Sequence, residues 1–428
     1  MNRTVFSSTQ GGKAHRDMII QEIQAASSAS WISGKTVRLD IMCFAFTDTA
    51  ISAALVEFLE TTPGGEIRLL ADWNQGAQSS PSVIRGLAEL NDAKLQIRVK
   101  IDAPYHRNPE TGEARWGYAQ SHGMLHHKTM GISMQDIPER LILGSFNWSS
   151  RGSKAYENTL VLARDDQTKV TLDAFAEEFD ALWADETVTM PLDQSAEFAS
   201  KACKLISEGA NLRNGAEIAA LAGIGDKLSA IEMPKVEQSD DIIAAFSGRY
   251  LTASRPHYGF STANRSRKLN LLRPSGKRKP APVTINSIAL EAIRSVPDGN
   301  PIEVAMYALS PRVPEYTALI EAAARGCRVR FILDGKLGLS MAKRLAHFAN
   351  IKGLPIEICT TNRRMHQKYL VAPLDGIVVT GTANMTEDAT ARHADHRILF
   401  RNAPEMASAF SEDFQTIWKR VDNRPVHS

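Results

Sequence analysis

The chain has 428 residues, of which 43% are hydrophobic and 23% are charged, and its formal net charge at pH 7 is +2. This length allows two domains, this composition is typical of a soluble globular protein, and so small a charge confines any attraction to an anionic polymer to local clusters. Because the N-terminus has no cationic segment followed by an apolar core, and no run approaches the roughly 20 apolar residues of a membrane span, we expect a cytoplasmic protein without a membrane anchor.

The first half of the chain alternates short apolar strands with amphipathic helices. We predict a strand over residues 37–46, a helix over 48–60, and a strand over 66–71 that ends at Asp72. A further strand is predicted over 95–101. Such an alternation indicates an α/β layer in which both faces of the sheet are covered.

The second half repeats the order of the first. We predict a strand over residues 302–308, a helix over 313–324, and a strand over 327–333 that is followed by Asp334. A further strand is predicted over 355–359. Since the order strand, helix, strand, acidic residue occurs twice, the chain should contain two similar α/β units.

Each half then carries a histidine, a lysine two residues later, a hydroxyl, an amide and a carboxylate. These residues are His126, Lys128, Ser145, Asn147 and Glu157 in the first half, and His366, Lys368, Thr382, Asn384 and Asp395 in the second. A single His-x-Lys is common by chance. Two copies are not, because each is followed by Gly-Ser/Thr-x-Asn and then by a carboxylate 10 or 11 residues after the asparagine.

The histidine and the lysine open a predicted strand in each copy, over residues 126–134 and 366–372. Residues two apart on a strand point to the same face, so His126 and Lys128 should project together. A helix would separate them by about 200°. On the same argument, His127 should face the other side of its strand.

This doubled set of side chains suits the cleavage of a phosphodiester. Neutral imidazole is a nucleophile toward phosphorus, and a second imidazole across a symmetric cleft can protonate the leaving oxygen. The lysines, asparagines and hydroxyls would hold the non-bridging oxygens and offset charge in the transition state. Each carboxylate would fix one histidine tautomer by accepting its second N–H.

The interval 190–285 between the two copies has a different composition, rich in Ser, Ala and Asn. No acidic residue occurs between Asp241 and Glu291, whereas nine Lys and Arg residues with interleaved aromatics do. Arginines contact phosphates and aromatic rings stack on bases, so we interpret part of this interval as a nucleic-acid contact. The candidate residues are Arg265, Arg267 and Lys268. A solvated linker is the competing interpretation of such a charge run.

The doubled motif resembles that of the phospholipase D superfamily, in which His-x-Lys is followed by Gly-Ser-x-Asn. The resemblance covers residues 30–185 and 286–425. It implies two similar α/β units, each a mixed sheet flanked by helices, packed as a pseudo-dimer in one chain with the motifs at their interface. We therefore predict phospholipase D-like units at 1–189 and 286–428, connected by a basic helical or irregular joint at 190–285.

The resemblance also implies a role for each residue. His126 would form a transient phosphohistidine, while His366 would protonate the leaving group and then activate water. The carboxylate of one copy tends to orient the histidine of the other, so Asp395 would serve His126 and Glu157 would serve His366. No metal or other cofactor is implied, and the spacing of the four cysteines fits no zinc site.

A metal-independent nuclease that acts on DNA or RNA is the first interpretation of the function. Trp148 follows the first Asn and Asn158 follows the first carboxylate, which resembles the nuclease branch of the superfamily. The basic interval adds independent support. Because both half-sites lie on one chain, a monomer is sufficient for activity, and a dimer is compatible with it.

Two other functions compete with the nuclease. A phospholipase D or phosphatidyltransferase would act on phospholipid and predicts a membrane-docking surface, but the sequence offers neither a hydrophobic anchor nor a long helix with a strong apolar face. A non-catalytic nucleic-acid-binding module would tolerate loss of a motif histidine or lysine, and this chain retains all four.

Overall fold

The computed structural model of the chain describes residues 2–76, 82–100, 106–107, 114–115, 124–184, 186, 189–207, 239, 241–246, 285–387, 389, 393–420 and 424–426. Within these residues each half forms a mixed sheet flanked by helices, which confirms the predicted α/β class.

The first half contains both strands and helices. Its strands are β1 (Arg3–Phe6), β2 (Val37–Cys43), β3 (Gly65–Ala71), β4 (Leu95–Lys100), β5 (His106–Arg107), β6 (Ala114–Arg115), β7 (Lys128–Met134), β8 (Ile137–Gly144), β9 (Asn158–Ala163) and β10 (Thr189–Pro191). Its helices are α1 (Lys13–Ser33), α2 (Thr49–Thr61), α3 (Trp73–Gly76), α4 (Val83–Ala88), α5 (Lys169–Ala184) and α6 (Ser195–Ser207).

The second half also contains both strands and helices. Its strands are β11 (Ile242–Phe246), β12 (Ile302–Met306), β13 (Val329–Asp334), β14 (Ile356–Thr361), β15 (Lys368–Ala372), β16 (Ile377–Gly381), β17 (His396–Phe400) and β18 (Arg424–Pro425). Its helices are α7 (Ile285–Ser295), α8 (Pro314–Ala324), α9 (Leu339–Lys352) and α10 (Pro404–Trp418).

The two large sheets have the same strand order. The first runs β1-β9-β8-β7-β2-β3-β4-β10 and the second runs β11-β17-β16-β15-β12-β13-β14-β18. In each sheet the three strands that alternate with helices are parallel, and the remaining pairings are antiparallel. The repeat predicted from the sequence therefore extends to the strand order of the two sheets. The two halves pack together as a pseudo-dimer within one chain.

Local sequence explains where three of the helices begin. Asp48 caps α2, because its carboxylate accepts the backbone N–H groups of Ala50 and Ile51 at 3.0 and 3.3 Å. Pro314 and Pro404 open α8 and α10, where the missing N–H of proline costs no hydrogen bond. The predicted helix over 48–60 thus begins one residue later than expected.

Three groups of buried apolar side chains hold the fold together. One lies within the first half, one within the second, and the third combines residues from both. In this shared core Phe6 of the first half packs edge-to-face on Phe410 of α10, with ring centroids 4.9 Å apart. Phe175 of α5 likewise contacts Phe246 of β11 at 6.1 Å. Burial of these aromatic rings fixes the halves against each other.

The interval 190–285 is only partly described. Within it, α6 follows the edge strand β10 of the first sheet, and β11 pairs antiparallel with β17 as the edge strand of the second. The position predicted for the start of the second unit, residue 286, leaves β11 outside that unit, although backbone pairing joins it to the second sheet. The domain boundaries stay predictions. Arg265, Arg267 and Lys268 lie outside the described residues.

Across the described parts of the chain, no helix combines the length and the apolarity that crossing a bilayer requires.

Candidate active site

Two short segments, each ending in a motif histidine, meet where the halves pack together. Asp72 ends the β3 segment, and its Oδ2 accepts the backbone N–H of Leu125 at 2.9 Å. Asp334 ends β13, and its Oδ2 accepts the N–H of Met365 at 3.1 Å. The two aspartates that the sequence places at equivalent strand ends therefore hold the backbone of the residue before each histidine by a hydrogen bond.

Backbone hydrogen bonds then connect each segment to the opposite half. The N–H of His126 donates to Ala394 O at 2.9 Å, and the N–H of His366 donates to Tyr156 O at 3.0 Å. Ala394 and Tyr156 are the residues before the two carboxylates. These bonds consequently bring each histidine beside the carboxylate of the other half.

The side chains pair across the interface in the same way. Nδ1 of His126 lies 2.7 Å from Oδ1 of Asp395. Nδ1 of His366 lies 2.8 and 3.0 Å from the two carboxylate oxygens of Glu157. This crossed arrangement is the one that the family resemblance implies. It leaves Nε2 of each ring for chemistry. We refer to these four residues with Lys128 and Lys368 as the two-histidine centre.

The motif histidines precede their strands instead of opening them. Pairing with β2 begins at Lys128, and pairing with β12 begins at Lys368. The predicted starts of these strands at residues 126 and 366 were therefore wrong by two residues. The reason is physical, because the backbone N–H of each histidine is already bonded to the opposite half.

Glycine is required at the first position of each Gly-Ser/Thr-x-Asn turn. Gly144 and Gly381 have φ of 148° and 153°, a region that favours glycine. A Cβ atom at either position would lie 2.3 Å from a backbone oxygen, that of Asn158 or of His396. These acceptors follow the two carboxylates directly, so each turn is pressed against the segment that presents the carboxylate.

The hydroxyls of the two turns are fully buried. Ser145 Oγ accepts the N–H of Asn158 at 2.9 Å, and Thr382 Oγ1 accepts the N–H of His396 at 3.0 Å. Both hydroxyls thus hold the turn to the carboxylate segment. Their predicted contact with substrate oxygens stays a prediction.

The asparagines of the turns share one unusual property. The side-chain oxygens of Asn147 and Asn384 are buried and accept no hydrogen bond from the residues that the structure describes. Both side chains are otherwise half-buried. A matched pair of unsatisfied polar atoms in the two halves is typical of a functional site.

The lysines lie within the centre and are almost fully buried. Lys128 Nζ donates to the carbonyl oxygen of His126, and Lys368 Nζ donates to that of His366. Burial lowers the pKa of Lys128 to about 8, against the opposing effect of Asp395. Burial also lowers the pKa of Lys368 well below its ordinary value, although Glu157 opposes the shift.

Protons are held differently by the two histidine–carboxylate pairs. Burial and then Lys128 lower the pKa of His126 to about 3. Burial by itself would raise the pKa of Asp395, but the neighbouring His126 and His393 outweigh it and hold that pKa below its usual range. Burial raises the pKa of Glu157 to about 8 despite Lys368. Near neutral pH the His126–Asp395 pair is therefore an ionised carboxylate with a neutral imidazole. The His366–Glu157 pair binds one more proton than that.

The surroundings of the two histidines also differ. Phe44 packs edge-on to His126 with ring centroids 5.2 Å apart, while Tyr307 occupies the corresponding place beside His366 at 5.0 Å. The exposed Arg364 contacts Tyr307, whereas His393 lies 5.8 Å from the ring of His126. The sequence interpretation missed these residues. Comparison of the residues two positions before each histidine and each carboxylate would have revealed Arg364 and His393.

His127 points away from the centre, as the two-residue period requires. It is fully buried, and its Nδ1 lies 3.0 Å from Nδ1 of His396, with the two rings parallel. Burial, and then His396, lower its pKa well below the ordinary value. His127 therefore serves the packing between the halves.

One group of side chains has the composition of a metal site. Among the described residues, His126, His393 and Asp395 offer ligand atoms that all lie within 4.8 Å of one another. Two imidazoles and a carboxylate are ligands that Zn²⁺ accepts. In this arrangement, however, the hydrogen bond between His126 and Asp395 already uses two of the ligand atoms.

Sequence comparison identifies the family of this chain. The family model described as "Cardiolipin synthase, PLD-like domain" matches residues 19–183 and 299–418. A Caenorhabditis elegans protein named "Probable phospholipase D" is 25% identical over 116 residues, which make up 26% of this chain and 21% of that protein. The chain thus spans about a fifth of the length of this curated relative.

Solved structures share the fold at low sequence identity. Phosphatidylserine synthase of Haemophilus influenzae superposes with a TM-score of 0.61 at 12% identity, covering 99% of this chain and 87% of that one. Polyphosphate kinase of Porphyromonas gingivalis superposes with a TM-score of 0.53 at 11% identity, covering 100% and 48%. These likenesses concern the fold alone.

The family model covers more than half of the sequence, and both of its segments contain a complete motif. The chain belongs to the phospholipase D superfamily, whose members are phosphodiesterase-type enzymes.

Proposed function

We propose that the chain is a metal-independent phosphodiesterase that cleaves DNA or RNA through a phosphohistidine intermediate. The crossed pairing of each histidine with the carboxylate of the other half carries this proposal. Two imidazoles held in this way leave two Nε2 atoms for one phosphorus atom between them. An in-line displacement needs a nucleophile on one side and an acid on the other.

His126 is the nucleophile. Its Nδ1–H donates to the ionised carboxylate of Asp395, so the lone pair of Nε2 is available to attack phosphorus. The low pKa of His126 keeps the ring neutral throughout the physiological range. Attack forms a P–N bond as the bond from phosphorus to the leaving oxygen breaks.

His366 is the general acid. Its Nδ1 faces the carboxylate of Glu157 and also the carbonyl oxygen of Ser145 at 3.2 Å. Burial and then Lys368 lower the pKa of His366, which favours the extra proton of the pair on Glu157. The carbonyl oxygen of Ser145, however, can only accept a hydrogen bond, so we place this proton on Nδ1, which makes the ring an imidazolium beside a carboxylate. Its Nε2–H then protonates the leaving oxygen.

The second step reverses these roles. After protonating the leaving oxygen, His366 retains its Nδ1–H bond to Glu157 and has a lone pair on Nε2. It can then remove a proton from water as the water oxygen attacks the phosphohistidine and the P–N bond breaks. Lys128 and Lys368, with Asn147 and Asn384, would stabilise the negative oxygens in both steps.

Nucleic acid is the substrate class that the basic interval supports. The motif-flanking residues do not contribute to this choice. Trp148 is buried against Phe46 at 5.3 Å, and Nδ2 of Asn158 donates to Thr380 at 3.1 Å. Both are therefore packing residues. The argument for DNA or RNA rests on Arg265, Arg267 and Lys268 and on the other cations of that interval.

A phospholipid substrate is the second candidate function. One observation favours it, namely that the matching family is described by a cardiolipin synthase. The two-histidine centre would perform the same chemistry on a phospholipid diester. An alcohol in place of water would make that reaction a phosphatidyl transfer.

A substrate panel tests the proposal. Purified protein is incubated with labelled single-stranded DNA, double-stranded DNA, RNA, phosphatidylcholine and cardiolipin, each with and without EDTA. We expect a nucleic acid to be cleaved at the same rate in both conditions. Cleavage of lipid only would favour the second candidate. Loss of all turnover in EDTA, restored by added Mg²⁺, would refute the metal-independent mechanism.

The pH dependence should show an alkaline limb near pH 8. The His366–Glu157 pair loses its extra proton as pH rises through the pKa of Glu157, about 8, and kcat/KM should then fall by about tenfold per pH unit. In Glu157→Gln the carboxylate can no longer stabilise the imidazolium, so the fall should begin below neutral pH. Rates of both proteins between pH 5 and 10 test this. An unchanged limb in the variant would contradict the assignment.

A further inference from the structure

Among the described residues, an arginine lies beside His366 and none lies beside His126. Arg364 precedes His366 by two residues, and the residue at the corresponding position before His126 is Met124. Arg364 is exposed. Its guanidinium donates to the hydroxyl of Tyr307 at 2.9 Å and stacks on that ring at 4.8 Å. These two contacts fix the position of an otherwise flexible side chain.

Tyr307 connects this arginine to the two-histidine centre. Its ring packs on His366 at 5.0 Å and lies 5.2 Å from Nζ of Lys368. Together the stacking distances place the guanidinium carbon within about 10 Å of the His366 ring. The charge of Arg364 helps to lower the pKa of His366, after burial and the two lysines. The guanidinium is thus close enough to act on the same substrate molecule.

The charge of Arg364 acts on the centre at longer range, because it opposes the rise that burial causes in the pKa of the Glu157 carboxyl. Arg364 forms no ion pair with a described residue, whereas its neighbour Arg363 donates to the carbonyl oxygens of Lys154 and Ala155. Phe44, which replaces Tyr307 in the first half, has no hydroxyl to hold a guanidinium. Among the described residues, the His366 side of the centre therefore presents a fixed cation that forms no direct ion pair.

We propose that Arg364 binds a second phosphate carried by the leaving group of the substrate. This inference rests on the proposed function, in which His366 protonates the leaving oxygen and so lies on the leaving-group side. A guanidinium recognises phosphate through two parallel hydrogen bonds. A cationic leaving group such as choline would instead be repelled.

The chemistry narrows the substrate class further. In DNA and RNA, three carbons separate the oxygen of one phosphate from that of the next. Cardiolipin has the same three-carbon bridge between its two phosphates, and phosphatidylglycerol lacks the second phosphate. The preferred substrate is therefore a diester with a neighbouring phosphate across three carbons. The basic interval makes a polynucleotide the form that we expect.

Dinucleotides isolate the contribution of the second phosphate. We compare kcat/KM for TpT, for pTpT with a 5′-phosphate, and for TpTp with a 3′-phosphate, because one added phosphate lies on the leaving group and the other does not. Wild-type protein should prefer one of the phosphorylated forms over TpT by at least about tenfold. Arg364→Met should reduce that ratio to about one, and Arg364→Lys should retain part of it. The ratio cancels any general loss of activity in a variant.

Lipids provide the second arm of the test. Cardiolipin, phosphatidylglycerol and phosphatidylcholine are presented in detergent micelles, and the same ratio is measured for cardiolipin over phosphatidylglycerol. A ratio that depends on Arg364 in either arm supports the inference and identifies the source of the phosphate. Equal rates with and without the second phosphate, or a preference that Arg364→Met keeps, overturns it. Absence of cleavage of every diester would refute the proposed function instead.

Discussion

His366→Ala should stall after one chemical step, whereas His126→Ala should not begin. With bis(p-nitrophenyl) phosphate the leaving group is stable without a proton, so an enzyme lacking the acid can still attack through His126. The phosphohistidine then persists because no base activates water. We expect a burst of one p-nitrophenolate per enzyme molecule, followed by turnover reduced about 10⁴-fold or more.

His126→Ala should show no burst and a comparable loss of steady-state turnover. Rapid-mixing absorbance measures the burst, and intact mass spectrometry detects the added nitrophenyl phosphate. A burst in His126→Ala without one in His366→Ala would reverse the two roles. No burst in either variant, with both folded, would refute a covalent intermediate.

His127→Gln is the matched control for these variants. It removes a buried histidine adjacent to the nucleophile and introduces the residue that the second half has at the corresponding position, Gln367. Since His127 contacts His396 and faces away from the centre, turnover should stay within about threefold of wild type. A thermal melt would report the lost packing separately.

The duplicated motif made the centre predictable from sequence. Two histidines and two carboxylates at matched spacing specify which residues meet, and the family resemblance implies the crossed pairing. The equivalent aspartates at the strand ends, Asp72 and Asp334, could be singled out for the same reason. Their contacts with the backbone before each histidine could not, because they depend on where the chain turns after the strand.

Differences between the halves were harder to predict from the sequence than their similarities. A repeat directs attention to conserved types, so Arg364 and His393 escaped notice, although both occupy positions where the first half has an apolar residue. The hydroxyls of Ser145 and Thr382 illustrate a second limit. Their chemical type suits substrate binding, but the tight turn after Gly144 or Gly381 directs them to the backbone of the opposite strand.

The two carboxylates should differ sharply when each is replaced by its amide. Asp395→Asn should lower kcat/KM by about 10⁴-fold on every substrate, because an amide N–H directed at Nδ1 of His126 forces the proton onto Nε2 and removes the nucleophilic lone pair. Among the described residues no second acceptor holds the Nδ1–H of His126. In this variant no described residue therefore favours the tautomer of His126 that carries its proton on Nδ1.

Glu157→Gln should instead depend on the leaving group. The carbonyl oxygen of Ser145 still faces Nδ1 of His366 at 3.2 Å, so the tautomer that serves as base in the second step is kept. Only the stabilisation of the imidazolium is lost. We expect a loss of about 10²-fold or more on a nucleic acid and under about tenfold on bis(p-nitrophenyl) phosphate.

Replacement of a buried carboxylate outside the centre is the control that distinguishes a loss of catalysis from a loss of stability. Glu178 is fully buried 3.9 Å from Nε2 of His127, so Glu178→Gln should alter stability and leave kcat/KM within about threefold. Initial rates of all three variants on both substrates give the required ratios. Equal losses for Asp395→Asn and Glu157→Gln on the activated diester would contradict the division of labour. That division follows from one pair keeping a proton that the other lacks, so the same result would also remove the reason for assigning attack to His126.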